Sequence, residues 1–157
     1  MTYAKRKAQK IRFELLAEGA LKPGKPTDPF PVLKVKMDKA FSELIRLVCA
    51  NDFGLCKCVT CPTIKFWKEM DCGHFVNRDE LPTRWDVNNA RSQCAPCNRF
   101  KTGRRYEFGK ALNDESPGLA DRLILKGKKN PEAIRAKAPE MFLEIKRLLK
   151  MQRARFK

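Results

Sequence analysis

The sequence predicts a mainly helical α+β domain stapled at its centre by cysteines. Two Cys-x-x-Cys pairs, Cys58 with Cys61 and Cys94 with Cys97, frame a central segment. Apolar residues recur at three- and four-residue intervals on both sides of it, the helical period, while loose apolar and polar alternation inside it reads as short strands. At 157 residues the chain has the length of one domain, with little to spare for unstructured insertions.

Residues 1–31 read as a basic arm and a proline-rich linker. The stretch from Lys5 to about Leu16 suits a short helix ordered by a partner or a solvated tail, and the prolines from Pro23 to Pro31 interrupt any continuing helix. Residues 32–157 form one domain: a helix over 32–53, a core over 54–105 and a basic helical tail over 106–157.

In the first helix, Met37, Phe41, Leu44, Ile45 and Val48 fall on one face from about Leu33 to Asp52. Asn51-Asp52-Phe53-Gly54 suits the turn that ends it. Strands are expected near Phe66 to Met70 and leading into Phe75, and a short helix ends at Lys101-Thr102-Gly103. Helices follow over Tyr106 to Asn113, Pro117 to Leu125 and Pro139 to about Arg155, with Pro117, Pro131 and Pro139 at first-turn positions. In the last, Phe142, Ile145 and Leu149 form an apolar stripe beneath Lys146, Arg147, Lys150 and Arg153.

The two-residue gap of each cysteine pair lets both sulfurs of a knuckle reach one ion, and two knuckles complete a closed tetrahedral zinc shell. Cys56 offers an alternative ligand to Cys58, but Cys58 with Cys61 reproduces the spacing of the second pair. Cys49 and Cys72 read as buried small hydrophobes. Seven cysteines and no apolar signal at the start point to a reducing, cytoplasmic setting. No run approaches the roughly 20 apolar residues of a membrane span.

The 34 Lys and Arg against 18 Asp and Glu leave a net charge of +16, which favours an anionic partner, nucleic acid first. Between the cysteine pairs lies the only histidine, His74, closing Asp71-Cys72-Gly73-His74, and Asn98 follows the last cysteine. Asp71, His74 and Asn98 offer an open site for a harder ion than zinc.

The run from Cys58-x-x-Cys61 through Trp67 and Asp71-Cys72-Gly73-His74-Phe75, then Asn89 to Asn98, Lys101-Thr102-Gly103 and Tyr106, resembles the NinG (Rap) recombination proteins of lambda-like phages. More distantly it is similar to the His-Asn-His (HNH) superfamily of ββα-metal endonucleases, phage endonuclease VII among them. The NinG-like part extends from about Val35 through the helical tail.

The resemblance implies a ββα-metal (His-Me finger) core, in which a β-hairpin and a helix surround one catalytic Mg2+ or Mn2+ ion above the zinc clasp. Asp71 and Asn98 would hold that ion, His74 would be the general base, and Asn89 would brace the loop that aims it. Arg78, Arg84, Arg91, Arg99, Lys101, Arg104 and Arg105 surround these motifs and suit phosphate contacts. The implied activity is metal-dependent endonuclease cleavage of branched DNA such as Holliday junctions, by a homodimer because resolution needs two cuts, in the host-cell cytoplasm. The chain departs from the commonest pattern in that Asp71 and His74 are not adjacent and the last ligand is Asn. Asp71 itself or a water chain are the alternative bases. The rival functions are a zinc-stapled DNA-binding module without catalysis and a nuclease with a restriction or homing role.

Overall fold

The computed structural model describes residues 30–156, preceded by Glu14 and Ala17. The arm helix considered between Lys5 and Leu16 lies outside the described residues but for Glu14, and so does the linker up to Pro29.

Helix α1 spans Phe30–Val48. It starts before the expected Leu33 because Phe30 has a buried place, edge-on to Trp85 with ring centroids 6.3 Å apart, and Pro31 sits in the first turn, where no amide is needed. The linker therefore ends by Pro29, not Pro31. The helix also stops sooner than Asp52. Asn51 Oδ1 accepts the amides of Phe53 (3.0 Å) and Leu55 (2.9 Å), and Gly54 takes a left-handed φ of 75° beneath the Phe66 ring.

Strands β1, Leu55–Lys57, and β2, Ile64–Phe66, form an antiparallel hairpin whose turn is the first cysteine knuckle. The strand expected over Phe66 to Met70 divides here. A 3-10 turn, Trp67–Glu69, separates β2 from β3, Met70–His74, because the Trp67 ring turns inward and is flanked by Arg46 and Lys68, each 5.5 Å from its centroid. Strand β3 pairs antiparallel with β4, Ala90–Cys94, from Met70 opposite Cys94 to His74 opposite Ala90. The connection carries a one-turn helix α2, Leu81–Arg84, and a 3-10 turn, Val87–Asn89, capped by Asp86.

After β4 the chain makes a single π-type turn, Pro96–Phe100, and Thr102, Gly103 and Arg104 follow with positive φ. Helices α3, Arg105–Glu115, and α4, Leu119–Gly127, lie close to their expected positions. Helix α5 runs over Glu132–Ala154, so Pro139 lies inside it and not in its first turn. An interior proline costs roughly 3 kcal/mol. Helix α5 continues through it because Ile134, Ala138, Phe142, Ile145 and Leu149 form one stripe packed on Leu33, Met37, Phe41, Leu44 and Ile45 of α1. Each large buried side chain there contributes about 1.5–3 kcal/mol. Arg147 pairs with Glu144 on the face away from α1, while Arg153, at the margin of the packed stripe, reaches Glu43 of α1 at 2.7 Å.

Two further apolar clusters hold the rest. One gathers Ala50, Cys56 and Met70 with the cysteine knuckles. The other joins Phe75 and Val76, just after β3, to Phe108, Leu112, Ala120 and Leu123 of α3 and α4. The result is a mainly helical α+β architecture with two small antiparallel sheets. No helix among the described residues is long and apolar enough to cross a membrane.

Candidate functional site

The hairpin turn between β1 and β2 and the segment from β4 into the π-type turn meet at four sulfurs. One ligand atom from each of Cys58, Cys61, Cys94 and Cys97 lies within 4.8 Å of all the others. Sulfurs bonded tetrahedrally to one ion at about 2.3 Å stand about 3.8 Å apart, and Cys61 and Cys94 Sγ are separated by 3.7 Å. The Cys94 amide donates to Cys58 Sγ at 3.3 Å, as suits a thiolate ligand.

Burial works against ionisation at both Cys61 and Cys94, yet hydrogen bonding by Thr63 and the neighbouring thiols brings Cys61 down to about 6, while Cys94 is pushed up to about 12. A divalent cation supplies the charge that lets all four ionise, so the donor set fits zinc. Cys56 is outside the cluster and donates to the Arg46 carbonyl at 3.2 Å, near the end of α1. Cys58 is therefore the fourth member of the cluster. Cys49 and Cys72 are half-buried, and burial raises both thiols, Cys72 to about 12.

Beside this centre a cavity of about 560 Å³ opens between α1, β3, the π-type turn and α3. Asp71, His74 and Asn98 all line it, with Arg78, Arg99 and Arg105. Among the described residues that line it, Asp71 is the only carboxylate. Asn98 Nδ2 donates to Asp71 Oδ2 at 3.1 Å, and Arg99 grips the same carboxylate through Nε (2.8 Å) and Nη2 (2.6 Å). Burial alone would raise the Asp71 pKa, but these hydrogen bonds and the Arg99 charge bring it below the usual carboxylate value.

His74 Nε2 lies 3.0 Å from the Arg84 carbonyl, which only accepts, so in the neutral ring Nε2 carries the proton and Nδ1 the lone pair. Burial lowers its pKa. The carbonyls of Arg84 and Cys72 act the other way, and the charges of Arg78 and Arg84 add to the lowering. Gly73, between Cys72 and His74, is required by packing: a side chain there would run into that of Gln93 on β4.

Asn89 does not line the cavity. Fully buried, it accepts the Val76 amide at 2.8 Å and donates to the carbonyls of Val76 (2.9 Å) and Thr83 (3.0 Å), which ties the loop after His74 to α2. A second brace had no sequence signal. Arg84, 7 % exposed, forms a two-pronged pair with Asp38 of α1 at 2.8 and 2.7 Å and donates to the Arg78 carbonyl, while Trp85 Nε1 donates to the same carboxylate at 2.9 Å. Arg84 is thus engaged internally and its guanidinium is not free for a phosphate. Arg91 is engaged as well, by Glu115 and the carbonyls of Val87 and Ala90. Arg104 pairs with Glu107, and Lys101 is exposed outside the cavity. Ser42, Thr102 and Gly103 complete part of the cavity wall, and Gln93 ties Thr60 of the first knuckle to the Gly103 carbonyl.

Fold and site together define a mainly helical α+β protein with a four-cysteine centre able to hold a metal ion such as zinc, set beside a basic cavity. The family model described as Bacteriophage Lambda NinG protein matches residues 4–155, nearly the whole chain, and the chain belongs to that family. No curated protein and no solved structure matches it.

Proposed function

We propose that this chain is a metal-dependent DNA endonuclease that acts on branched recombination intermediates such as Holliday junctions, in the host-cell cytoplasm. The observation that carries the reading is the convergence of Asp71, His74 and Asn98 on one cavity among Arg78, Arg99 and Arg105. The order β3, β4, π-type turn follows the strand, strand, helix sequence of a ββα-metal core, and the cysteine cluster, filled by zinc, would anchor it from below.

The donor set suits a hard divalent ion. Asp71 and the Asn98 side-chain amide are 3.1 Å apart, close to the roughly 3 Å between adjacent ligands of an octahedral ion at 2.1 Å, and rotating the amide presents its oxygen. A bound Mg2+ or Mn2+ would polarise the scissile phosphate and offset charge on the leaving oxygen. The protein's own groups do the rest. Arg84 O accepts from Nε2–H, which leaves Nδ1 as the nitrogen of neutral His74 with a lone pair to take the proton of the attacking water. Arg78 and Arg105 attract the phosphates, and Arg99 joins them once it releases Asp71. Two cuts in one junction call for two copies of the chain.

A second reading has one observation in its favour. Asp71 is already neutralised by Arg99, as it would be in a zinc-clasped DNA-binding module without catalysis. A supercoiled-plasmid assay in magnesium separates the two: wild type is expected to nick and His74→Ala to bind DNA without nicking. Binding by both proteins with nicking by neither, under any divalent ion, would leave the binding module. Equal rates on four-way, flap and linear substrates would leave a nuclease of restriction or homing type.

A further inference from the structure

We propose that a groove adjoining the catalytic cavity takes an unpaired nucleobase, with Tyr106 as its stacking platform. The groove has a volume of about 590 Å³, within the range of ligand pockets, and is lined by Phe75, Arg105, Tyr106, Gly109, Lys110, Asn113 and the acidic Asp114. Phe75 and Arg105 line the catalytic cavity as well, so the two spaces share a wall. A strand whose phosphate lies in the first would place its neighbouring base at the second. The inference rests on the reading of DNA as the partner, not on cleavage.

Three features select a base over other occupants. First, Tyr106 is 82 % exposed at the start of α3, where an aromatic ring of that size gains nothing from the protein's own core. Second, the chain from Pro96 to Tyr106 carries no acidic residue, and although Arg99 and Arg104 are paired with Asp71 and Glu107, Lys101 and Arg105 keep the approach to the ring cationic, which favours a polyanion. Exposed aromatic rings set among cations are how proteins hold unpaired bases, because every base offers a π-face whatever its sequence. Third, the groove has both an apolar floor and polar groups for a base edge. The Arg105 guanidinium lies over the Phe75 ring, 5.6 Å from its centroid. Gly109 packs closely on that ring: a Cβ added there would lie 3.1 Å from the nearest ring carbon, so the ring would have to yield by a few tenths of an ångström. Asn113 uses Oδ1 on the Ala120 amide, which leaves its NH2 group to donate.

A fully paired duplex keeps its bases stacked and offers nothing to Tyr106, whereas a branch point or single-stranded tail does. The groove would thus bias the chain toward branched DNA without reading sequence.

The test is anisotropy binding at fixed salt, with zinc-loaded protein and neither magnesium nor manganese added, so that nothing is cut and the cysteine centre keeps its metal. The probes are a duplex with a single-stranded tail and the fully paired duplex of the same sequence, and 2-aminopurine in the tail reports stacking. Wild type should prefer the tailed probe and quench the 2-aminopurine. Tyr106→Ala should lose about 5- to 150-fold on the tailed probe, with less than about twofold change on the duplex, and should lose the quench. Tyr106→Phe should retain both. No preference in the wild type, an equal loss on both probes, or no loss in Tyr106→Ala overturns the proposal. A protein that shows the preference but never cleaves would sink the nuclease reading and leave this one standing; a protein that binds no DNA would sink both.

Discussion

Removing one carboxylate outside the cavity should loosen both the fold and the aim of His74. Asp38 of α1 carries Arg84 on two hydrogen bonds and the Trp85 indole on a third, and the Arg84 carbonyl holds His74 Nε2. In Asp38→Ala the guanidinium stays buried, 7 % exposed, without its counter-charge. Breaking a buried pair from one side costs about 3–5 kcal/mol. Asp38 keeps 29 % of its side-chain surface, which places the cost at the lower end. The orphaned indole adds about 1 kcal/mol and the helix preference of alanine returns about 0.5 kcal/mol, for a net loss near 3–4 kcal/mol. At about 3 °C per kcal/mol for a domain of this size, the thermal midpoint should fall by about 10 °C. Differential scanning calorimetry measures it, with Asp52→Ala as control, since the Asp52 to Arg155 pair is exposed and should matter by no more than about 0.5 kcal/mol. The pair Asp38→Leu with Arg84→Met removes both charges together and should be more stable than Asp38→Ala. A midpoint shift under about 3 °C for Asp38→Ala, or no recovery in the double variant, would refute the role of this brace.

The four-cysteine centre should bind one zinc per chain by elemental analysis. Cys94→Ser should lose both the metal and most of the thermal stability, whereas Cys56→Ser should keep the metal because that thiol faces the Arg46 carbonyl; metal loss in Cys56→Ser would place the ligands wrongly. The pH dependence of stability has two expected parts. The His74 pKa is lowered by burial, so the unfolded chain takes up the proton first, and stability should fall as pH drops below about 6.5 toward the lower folded value. His74→Gln should flatten that portion of a urea-midpoint profile, and an unchanged slope would contradict the burial. Asp71 has its pKa lowered as well, so its contribution is present above about pH 3.9 and is lost as pH falls further.

The parts of the fold visible in the sequence are those where local chemistry decides the structure. The stripe Met37, Phe41, Leu44, Ile45 marks α1 because those four side chains are buried, although Val48, read as part of the same face, is exposed and Leu47 is buried instead. The repeated two-residue gap marks Cys58, Cys61, Cys94 and Cys97 because that spacing suits one shared ion. Where long-range packing decides, local signals mislead. Pro139 looks like a helix start but lies within α5, since the stripe on α1 outweighs one lost hydrogen bond. Strand β4 had no signal because Ser92 and Gln93, polar residues without alternation, are buried by their neighbours. The arginines were the hardest to sort. Arg84 and Arg78 have the same side chain six residues apart, yet one is held by Asp38, 46 positions earlier, while the other faces the cavity.

The separation of Asp71 from His74 becomes intelligible from the strand that carries both. Successive side chains in a strand point to opposite faces, so residues one apart and residues three apart share the same relation: each pair straddles the strand. Asp71 and His74 accordingly leave β3 in different directions, one to Asn98 and Arg99, the other to the Arg84 carbonyl and the Phe41 ring, 6.0 Å away between centroids. Both still line one cavity, because β3 belongs to a two-stranded sheet and β4 takes only one of its edges. That division suits the in-line hydrolysis proposed for this chain. The attacking water and the leaving oxygen lie on opposite sides of the phosphorus, so a proton acceptor and an ion-holding carboxylate work best from either side of the backbone that carries them. A spacing of two would put both groups on one face; a spacing of three preserves the division that adjacency provides.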